Sequence, residues 1–222
     1  WSKPKPLIAL AGKTVLDYLL AQFKDLPEVK NAEFVFIVGP NQLEQIRTYM
    51  QAHYADTKVV YVVQDKMRGQ SDALYLAREY LMGPMLICFS DTLIETNPAE
   101  MIQPGIDGIA WVKPVPDPRR FGVAVIDQHG FIQHLVEKPK EINNNLALVG
   151  FYYFQEGQEL MKAIEKQMEQ EISLNHEYFL ADAINVMLKE GKKFKIREVG
   201  VWLDAGKVDA LLETNQYLLS HG

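Results

Sequence analysis

Two acids and two lysines carry the strongest chemical signals in the sequence. Asp91 ends an apolar run in C-F-S-D-T-L, and Asp204 ends another in V-W-L-D-A-G. Ligands of open α/β sheets bind beyond the carboxyl ends of strands. A carboxylate there can hold a hard cation such as Mg2+, which takes few protein oxygens and keeps water and phosphate ligands. Each acid also has a plainer explanation: Asp91 as a cap on the next turn or helix, Asp204 as the N-cap of a closing helix. Lys5, in S-K-P-K-P-L-I, and Lys138, in E-K-P, stand beside prolines that stiffen the backbone. A lysine so fixed is a positioned point charge for phosphate, although most single lysines are only surface groups. Gly122 in F-G-V and Gly150 in V-G-F interrupt apolar runs, which lets backbone approach a ligand or marks a bulge. Gln64, Gly69 and Gln70 follow a strand in a loop, where a base or sugar edge could be read or where plain loop chemistry applies.

Other chemistries find no support. Five scattered histidines show no metal-ligand spacing. G-x-S-x-G, P-loop and G-x-G-x-x-G patterns are absent. The net charge of -6 is spread along the chain without a basic stripe, which argues against nucleic acid. A mildly acidic protein binds polyphosphate through a local positive site and a metal. The single cysteine, Cys88, lies in an apolar run and reads as a small buried hydrophobe rather than a reactive thiol. With no disulfide available within the chain, the expected compartment is the cytoplasm. No apolar stretch reaches the ~18 residues of a membrane span, and no signal peptide is visible.

The elements that must position these residues alternate. Residues 15–23 form an amphipathic helix, 33–38 and 58–63 short apolar strands, 41–53 a polar helix between them. A helix over 70–82 and a strand over 84–89 follow, as in a parallel sheet covered on both faces. The middle changes character: strands at 108–112, 121–127, 130–137 and 146–154, separated by turn residues, predict a local antiparallel or mixed sheet. Helices over 156–170 and 177–190, a strand over 194–199 and a helix over 207–219 complete the chain.

The order of the motifs is more specific than any one of them. K-P-K-P-L-I, V-V-Q with G-Q-S-D-A-L, F-S-D-T-L, R-F-G-V-A-V-I-D, L-V-E-K-P-K, A-L-V-G-F-Y-Y-F, H-E-Y-F-L-A-D-A-I and W-L-D-A-G succeed one another across nearly all 222 residues. This series resembles the sugar nucleotidyltransferase family, in particular its glucose-1-phosphate thymidylyltransferase branch. The resemblance implies a Rossmann-like α/β domain over 1–222 with a mixed, mainly parallel central sheet and helices on both faces. It implies that Lys5 contacts nucleotide phosphates, that Gln64 and Gly69 recognise the base, and that Asp91 and Asp204 bind Mg2+. Gly122, Glu137, Gly150 and Glu177 would line the sugar pocket, and Lys138 would grip the sugar phosphate. The implied reaction is in-line attack of a hexose 1-phosphate on the α-phosphate of dTTP or UTP, releasing pyrophosphate. Such a transfer depends on alignment and charge neutralisation more than on acid–base groups, so the lack of a catalytic His or Ser is consistent with it.

The sequence departs from the family in places. Family members carry a strand and a G-G-x-G-T-R loop just ahead of the position of Trp1. On the resemblance, the 222-residue chain is therefore expected to be an N-terminal truncation of low activity. Ala181 and Lys207 stand where threonines are expected, and Ser90 where a glycine is common. A non-catalytic sugar-nucleotide-binding paralogue is the alternative, opposed by the retention of Asp91, Asp204, Lys5 and Lys138. A glycosyltransferase would want a D-x-D motif, which the chain lacks. The expected partners are a nucleoside triphosphate and a sugar 1-phosphate, with room for a homo-oligomer.

Overall fold

The computed structural model describes residues 3–24, 26, 31–96, 104–205 and 208–221. Trp1 and Lys207, singled out above, lie outside the described residues. The fold is mixed α/β and divides into two compact units: residues 1–63, 88–101 and 199–222, and residues 64–87 and 102–198.

In the first unit a short 3-10 turn, Lys5–Leu7, leads into β1 (Ala9–Leu10) and β2 (Lys13–Thr14), a small antiparallel pair. α1 (Val15–Gln22) starts at Thr14, whose hydroxyl accepts the Asp17 N–H while the Asp17 carboxylate accepts the Thr14 N–H. This reciprocal cap satisfies two donors that a helix start leaves open. The Asp17 carboxylate also accepts from the Tyr49 and Tyr54 hydroxyls, which ties α1 to α2 (Leu43–His53) and the residue after it.

β3 (Phe34–Val38) and β4 (Val59–Val63) are five-residue runs of β-branched and aromatic side chains paired in parallel, Phe34 opposite Val59 through Val38 opposite Val63. Parallel neighbours need a crossover, and α2 supplies it. Its buried Ile46 and Met50 pack with Leu7, Leu16 and Val38. A second cluster joins Leu10, Val15, Leu19, Leu93 and Ala205. Leu93 and Ala205 come from β6 (Thr92–Ile94) and the residue after β12 (Trp202–Asp204), two three-residue strands that pair antiparallel. Periodicity does not reveal strands this short. α6 (Val208–His221) closes the chain.

The second unit is built on a six-stranded mixed sheet. The strands are β5 (Met85–Cys88), β7 (Gly108–Pro114), β8 (Gly122–Ile126), β9 (Ile132–Glu137), β10 (Leu146–Phe154) and β11 (Phe194–Glu198). The order is β11-β7-β10-β8-β9, with β5 also on β10. β11 runs parallel to β7, whereas β10 is antiparallel to β7 and β8, and β8 to β9. All but the first residue of β10 are buried, and Phe151 meets Trp111 edge-on at 4.9 Å. α5 (Leu180–Lys189) packs on β9, and α4 (Gly157–Glu169) packs on α5 and α3 (Gln70–Leu76), each burying an apolar face.

Two helices differ from expectation. The one expected over 70–82 is α3 (Gln70–Leu76), after which Arg78–Tyr80 tightens into a 3-10 turn ahead of Gly83, at φ +72. The one expected over 177–190 begins only at Leu180. Asn175 and His176 take φ of +53 and +63, and Leu174 and Glu177 exchange both backbone hydrogen bonds at 3.0 Å. Two successive left-handed residues make a tight hairpin turn, which excludes helix there.

Candidate functional site

In the first unit, Asp91 and Asp204 lie on adjoining chain segments. Asp91 occupies the turn between β5 and β6, where the Thr92 N–H reaches back to the Phe89 carbonyl at 3.0 Å. Asp204 ends β12, opposite Thr92, and the Ala205 N–H donates to the Asp91 carbonyl at 2.9 Å. The two acids feel each other. Burial first, and then the charge of Asp204, push the Asp91 carboxyl above the usual carboxylate range, against the opposing pull of Lys5. Asp204 is the last residue of a strand, and residues 206 and 207, between it and α6, lie outside the described residues. The Thr214 hydroxyl of α6 donates to the Asp204 carbonyl at 3.1 Å, holding strand and helix together.

Lys5 belongs to the same unit. Its backbone is fixed between Pro4 and Pro6, both buried, while its own side chain is exposed. Proline restricts φ and its neighbour's conformation, so the lysine stem starts from a rigid base. Cys88 packs with Leu10, Val15, Leu93 and Ala205. Burial, then the Asp91 charge, push its thiol well above the usual range, which suits a packing residue.

The residue types fit Mg2+. Two partly buried carboxylates that repel each other beside a lysine are relieved by a divalent cation, and Mg2+ takes one or two carboxylates plus phosphate oxygens. Among the described residues no group of three His, Cys, Asp or Glu side chains forms a cage for a metal held by protein alone.

The second unit brings Gly122, Glu137, Lys138 and Glu177 of the expected sugar-side residues into one neighbourhood. Gly122 of β8 stands opposite Glu137 of β9. A Cβ on Gly122 would lie 2.9 Å from Glu137 Oε2 and 2.8 Å from Leu148 Cδ1, so the glycine makes room for the carboxylate. The Glu137 carboxyl is pushed up to about 7 by burial, raised further by Asp182 and Glu177 and opposed by Lys138. Tyr152 of β10 faces the same region: burial and the Glu137 charge both raise its hydroxyl. Lys138 has φ +47, an uncommon backbone state for a non-glycine residue, and its N–H donates to the Phe121 carbonyl at 3.0 Å. Its ammonium lies 4.5 Å from the Phe179 ring centroid. Gly150 has φ +81 where the β10–β7 register shifts between Leu148 and Tyr152. It therefore sits in a bulge of the sheet.

The loop after β4 is internally braced. The buried Gln64 amide donates to the Gly69 carbonyl at 3.2 Å and to Asp72 at 3.0 Å, and Arg68 bonds the other Asp72 oxygen at 2.6 Å. Gly69 has φ +98, and a Cβ there would meet the Tyr178 carbonyl oxygen at 2.4 Å. Tyr178 in turn pairs its N–H with Arg68 and its carbonyl with Ser71. The Gln70 side-chain Oε1 accepts the Leu180 N–H, at the start of α5. The loop holding Gln64 and Gly69 is thus stitched to the segment holding Glu177.

Asp72, Phe179 and Asp182 were not anticipated individually. The signals that could have found them are the block H-E-Y-F-L-A-D-A-I, which also holds Glu177, and the Asp of the G-Q-S-D-A-L run.

A family model described as nucleotidyl transferase matches residues 1–221. The chain belongs to the nucleotidyl transferase family. Over 218 residues this nucleotidyl transferase is 31% identical to the "Bifunctional protein GlmU" of Methanocaldococcus jannaschii, covering 98% of the chain and 50% of that protein. It is 30% identical over 224 residues to the "Low-salt glycan biosynthesis nucleotidyltransferase Agl11" of Haloferax volcanii, covering 97% and 60%. A "Glucose-1-phosphate thymidylyltransferase" of Streptomyces antibioticus is 28% identical over 223 residues, again 97% and 60%. The chain thus spans about half the length of the first of these relatives and 60% of the other two.

Solved structures share the nucleotidyl transferase fold. A nucleoside-diphosphate-sugar pyrophosphorylase from Vibrio cholerae superposes with a TM-score of 0.81 at 16% identity, covering 97% of this chain and 93% of that one. An apo UDP-glucose pyrophosphorylase gives 0.78 at 17%, covering 98% and 90%. At such identities the likeness concerns the Rossmann-like α/β fold. No helix among the described residues is long and apolar enough to cross a membrane.

Proposed function

We propose that the protein joins a hexose 1-phosphate to a nucleoside triphosphate, dTTP or UTP, giving a nucleotide-sugar and pyrophosphate. Family membership and the names of the relatives support the reaction class. The observation that carries the reading furthest is the Asp91–Asp204 pair with Lys5 close enough to oppose it electrostatically.

The chain's residues then divide the work. Lys5 neutralises nucleotide phosphate charge. Lys138, held over Phe179, anchors the sugar phosphate, and Glu137 accepts from or donates to sugar hydroxyls, both roles being open to a carboxyl that titrates near 7. The loop of Gln64 and Gly69 presents backbone and shape to the base. Gly150 and Glu177 border the sugar side. A phosphate oxygen of the sugar phosphate forms the new bond to the α-phosphorus as the bond to the β-phosphate oxygen breaks, and pyrophosphate leaves. No protein group needs to gain or lose a proton for that displacement, so positioning and charge neutralisation are the protein's contributions. Asp91 and Asp204 would hold Mg2+, whose chemistry is to offset phosphate charge.

The test is pyrophosphate release by the full-length protein from glucose 1-phosphate with each nucleoside triphosphate and Mg2+. Turnover with dTTP or UTP is expected. Failure with every triphosphate and with amino and neutral hexose 1-phosphates would defeat the reading.

A further inference from the structure

β9 is the last strand in the order of the six-stranded sheet, and just ahead of it Phe131 bridges to Lys195 of β11, so the outer side of β9 lies open from Ile132 onward in the strand pairing. Such a strand leaves a row of outward N–H and C=O groups without a neighbour. At Leu135, which faces Ala124 across the β8–β9 ladder, a side chain supplies the missing partner. Asn185 of α5 accepts the Leu135 N–H through Oδ1 and donates from Nδ2 to the Leu135 carbonyl, both at 2.8 Å. A primary amide offers one acceptor and one donor side by side, which is what a paired peptide would offer. The contact spans 50 positions of sequence and locks one residue of β9 to one residue of α5.

The clamp lies close to the sugar-side residues on both elements. Leu135 is two residues before Glu137 and three before Lys138. Asn185 is one helical turn after Asp182, on the same face. Asp182 and Glu177 raise the Glu137 carboxyl, Lys138 lowers it, and Tyr152 faces it from β10. Phe179, immediately before α5, carries the Lys138 ammonium on its ring. A slip of β9 along α5 would therefore change both the carboxylate's neighbours and the lysine's seat.

Resting on the proposed sugar-phosphate reading, we infer that Asn185 is a positioning residue for sugar 1-phosphate binding, acting through Leu135 on Glu137 and Lys138. It touches no substrate. It sets the register between the strand that carries these two groups and the helix that tunes them.

The experiment uses the full-length protein with Asn185→Leu, which matches the shape but lacks both hydrogen bonds, and Asn185→Asp. Two readouts are taken: steady-state kinetics against each substrate, and the titration of the Glu137 carboxyl followed by carbon NMR. For Asn185→Leu the KM for sugar 1-phosphate is expected to rise about tenfold, with kcat and the KM for nucleotide within about twofold. The Glu137 titration should move down from its wild-type position as water and distance relax its surroundings. Asn185→Asp can restore both bonds only when protonated, so its sugar-phosphate KM, as a ratio to wild type, should approach one on acidification. If Asn185→Leu fails to fold, the ratio for Asn185→Asp decides. Unchanged sugar-phosphate KM and unchanged Glu137 titration, with only a lower Tm, would overturn the proposal and leave Asn185 as an edge cap. A wild-type protein without turnover would defeat the transfer reading instead, and the Glu137 titration would then judge the positioning claim by itself.

Discussion

Gly122 and Glu137 face each other across the β8–β9 ladder so closely that a Cβ on the glycine would sit 2.9 Å from the carboxylate oxygen. The same Cβ would press on Leu148 at 2.8 Å. Both obstacles are ends of side chains, so they can give way at a cost. Gly122→Ala is expected to destabilise the protein by about 1–3 kcal/mol, the range for overfilling a packed site. It should also raise the KM for sugar 1-phosphate, because the displaced group is Glu137. Unaltered kinetics in a folded Gly122→Ala enzyme would separate the glycine from the sugar site.

Gly69→Ala meets a harder obstacle. Its Cβ would strike the Tyr178 backbone, with the carbonyl oxygen at 2.4 Å, and its φ of +98 is itself unfavourable for alanine. The Arg68–Tyr178 and Ser71–Tyr178 hydrogen bonds should be lost together. The expected result is a rise in KM for both nucleotide and sugar 1-phosphate, since Tyr178 lies between Glu177 and Phe179. A defect confined to nucleotide binding would show that the stitching does not transmit.

Glu137 makes stability depend on pH. Its carboxyl titrates at about 7 in the folded protein, above the 4.5 of an ordinary glutamate, because burial disfavours its charge. The folded state then binds more protons than the unfolded state between these values. This contribution to stability is present in full below about 4.5 and is lost as pH rises through about 7. Glu137→Gln, neutral throughout, should lose less Tm than wild type between pH 5 and pH 8. Parallel Tm–pH curves for the two proteins would show that Glu137 is not held neutral by its surroundings.

Asp204→Ala separates charge neutralisation from structure. On the proposed function it should lower kcat by about 100-fold or more, the scale of lost transition-state charge stabilisation, with little change in sugar-phosphate KM. Glu137→Ala should do the reverse, raising that KM with a smaller effect on kcat. Chelation of divalent cations should abolish pyrophosphate release, and added Mg2+ should restore it. An Asp204→Ala enzyme that is less stable yet turns over normally would leave Asp204 only its strand-end role.

Much of the architecture was legible in the amino-acid sequence because burial on both faces selects a recognisable kind of strand. Phe34–Val38 and Val59–Val63 are continuous β-branched and aromatic runs, Leu146–Phe154 is an apolar run ending in aromatics, and each is a strand within a residue of its expected limits. The Gly122 and Glu137–Lys138 motifs were legible for a related reason: a glycine inside an apolar run and a proline after a lysine are local exceptions with local causes. Their order along the chain pointed to the family. What local pattern does not encode is partnership over distance. Asp91 and Asp204 come to adjoining segments because β6 and β12, three residues each, pair antiparallel, and strands that short have no periodicity to read. Glu177 reads as helical because the pattern of α5 extends backwards over it, whereas the left-handed Asn175 and His176 turn the chain there. Asn185 reads as an ordinary polar position on a helix until the sheet places Leu135 against it. Hydrogen-bond complementarity between an edge strand and a distant side chain is a property of the packed fold, so only the tertiary structure decided which polar residues support the site.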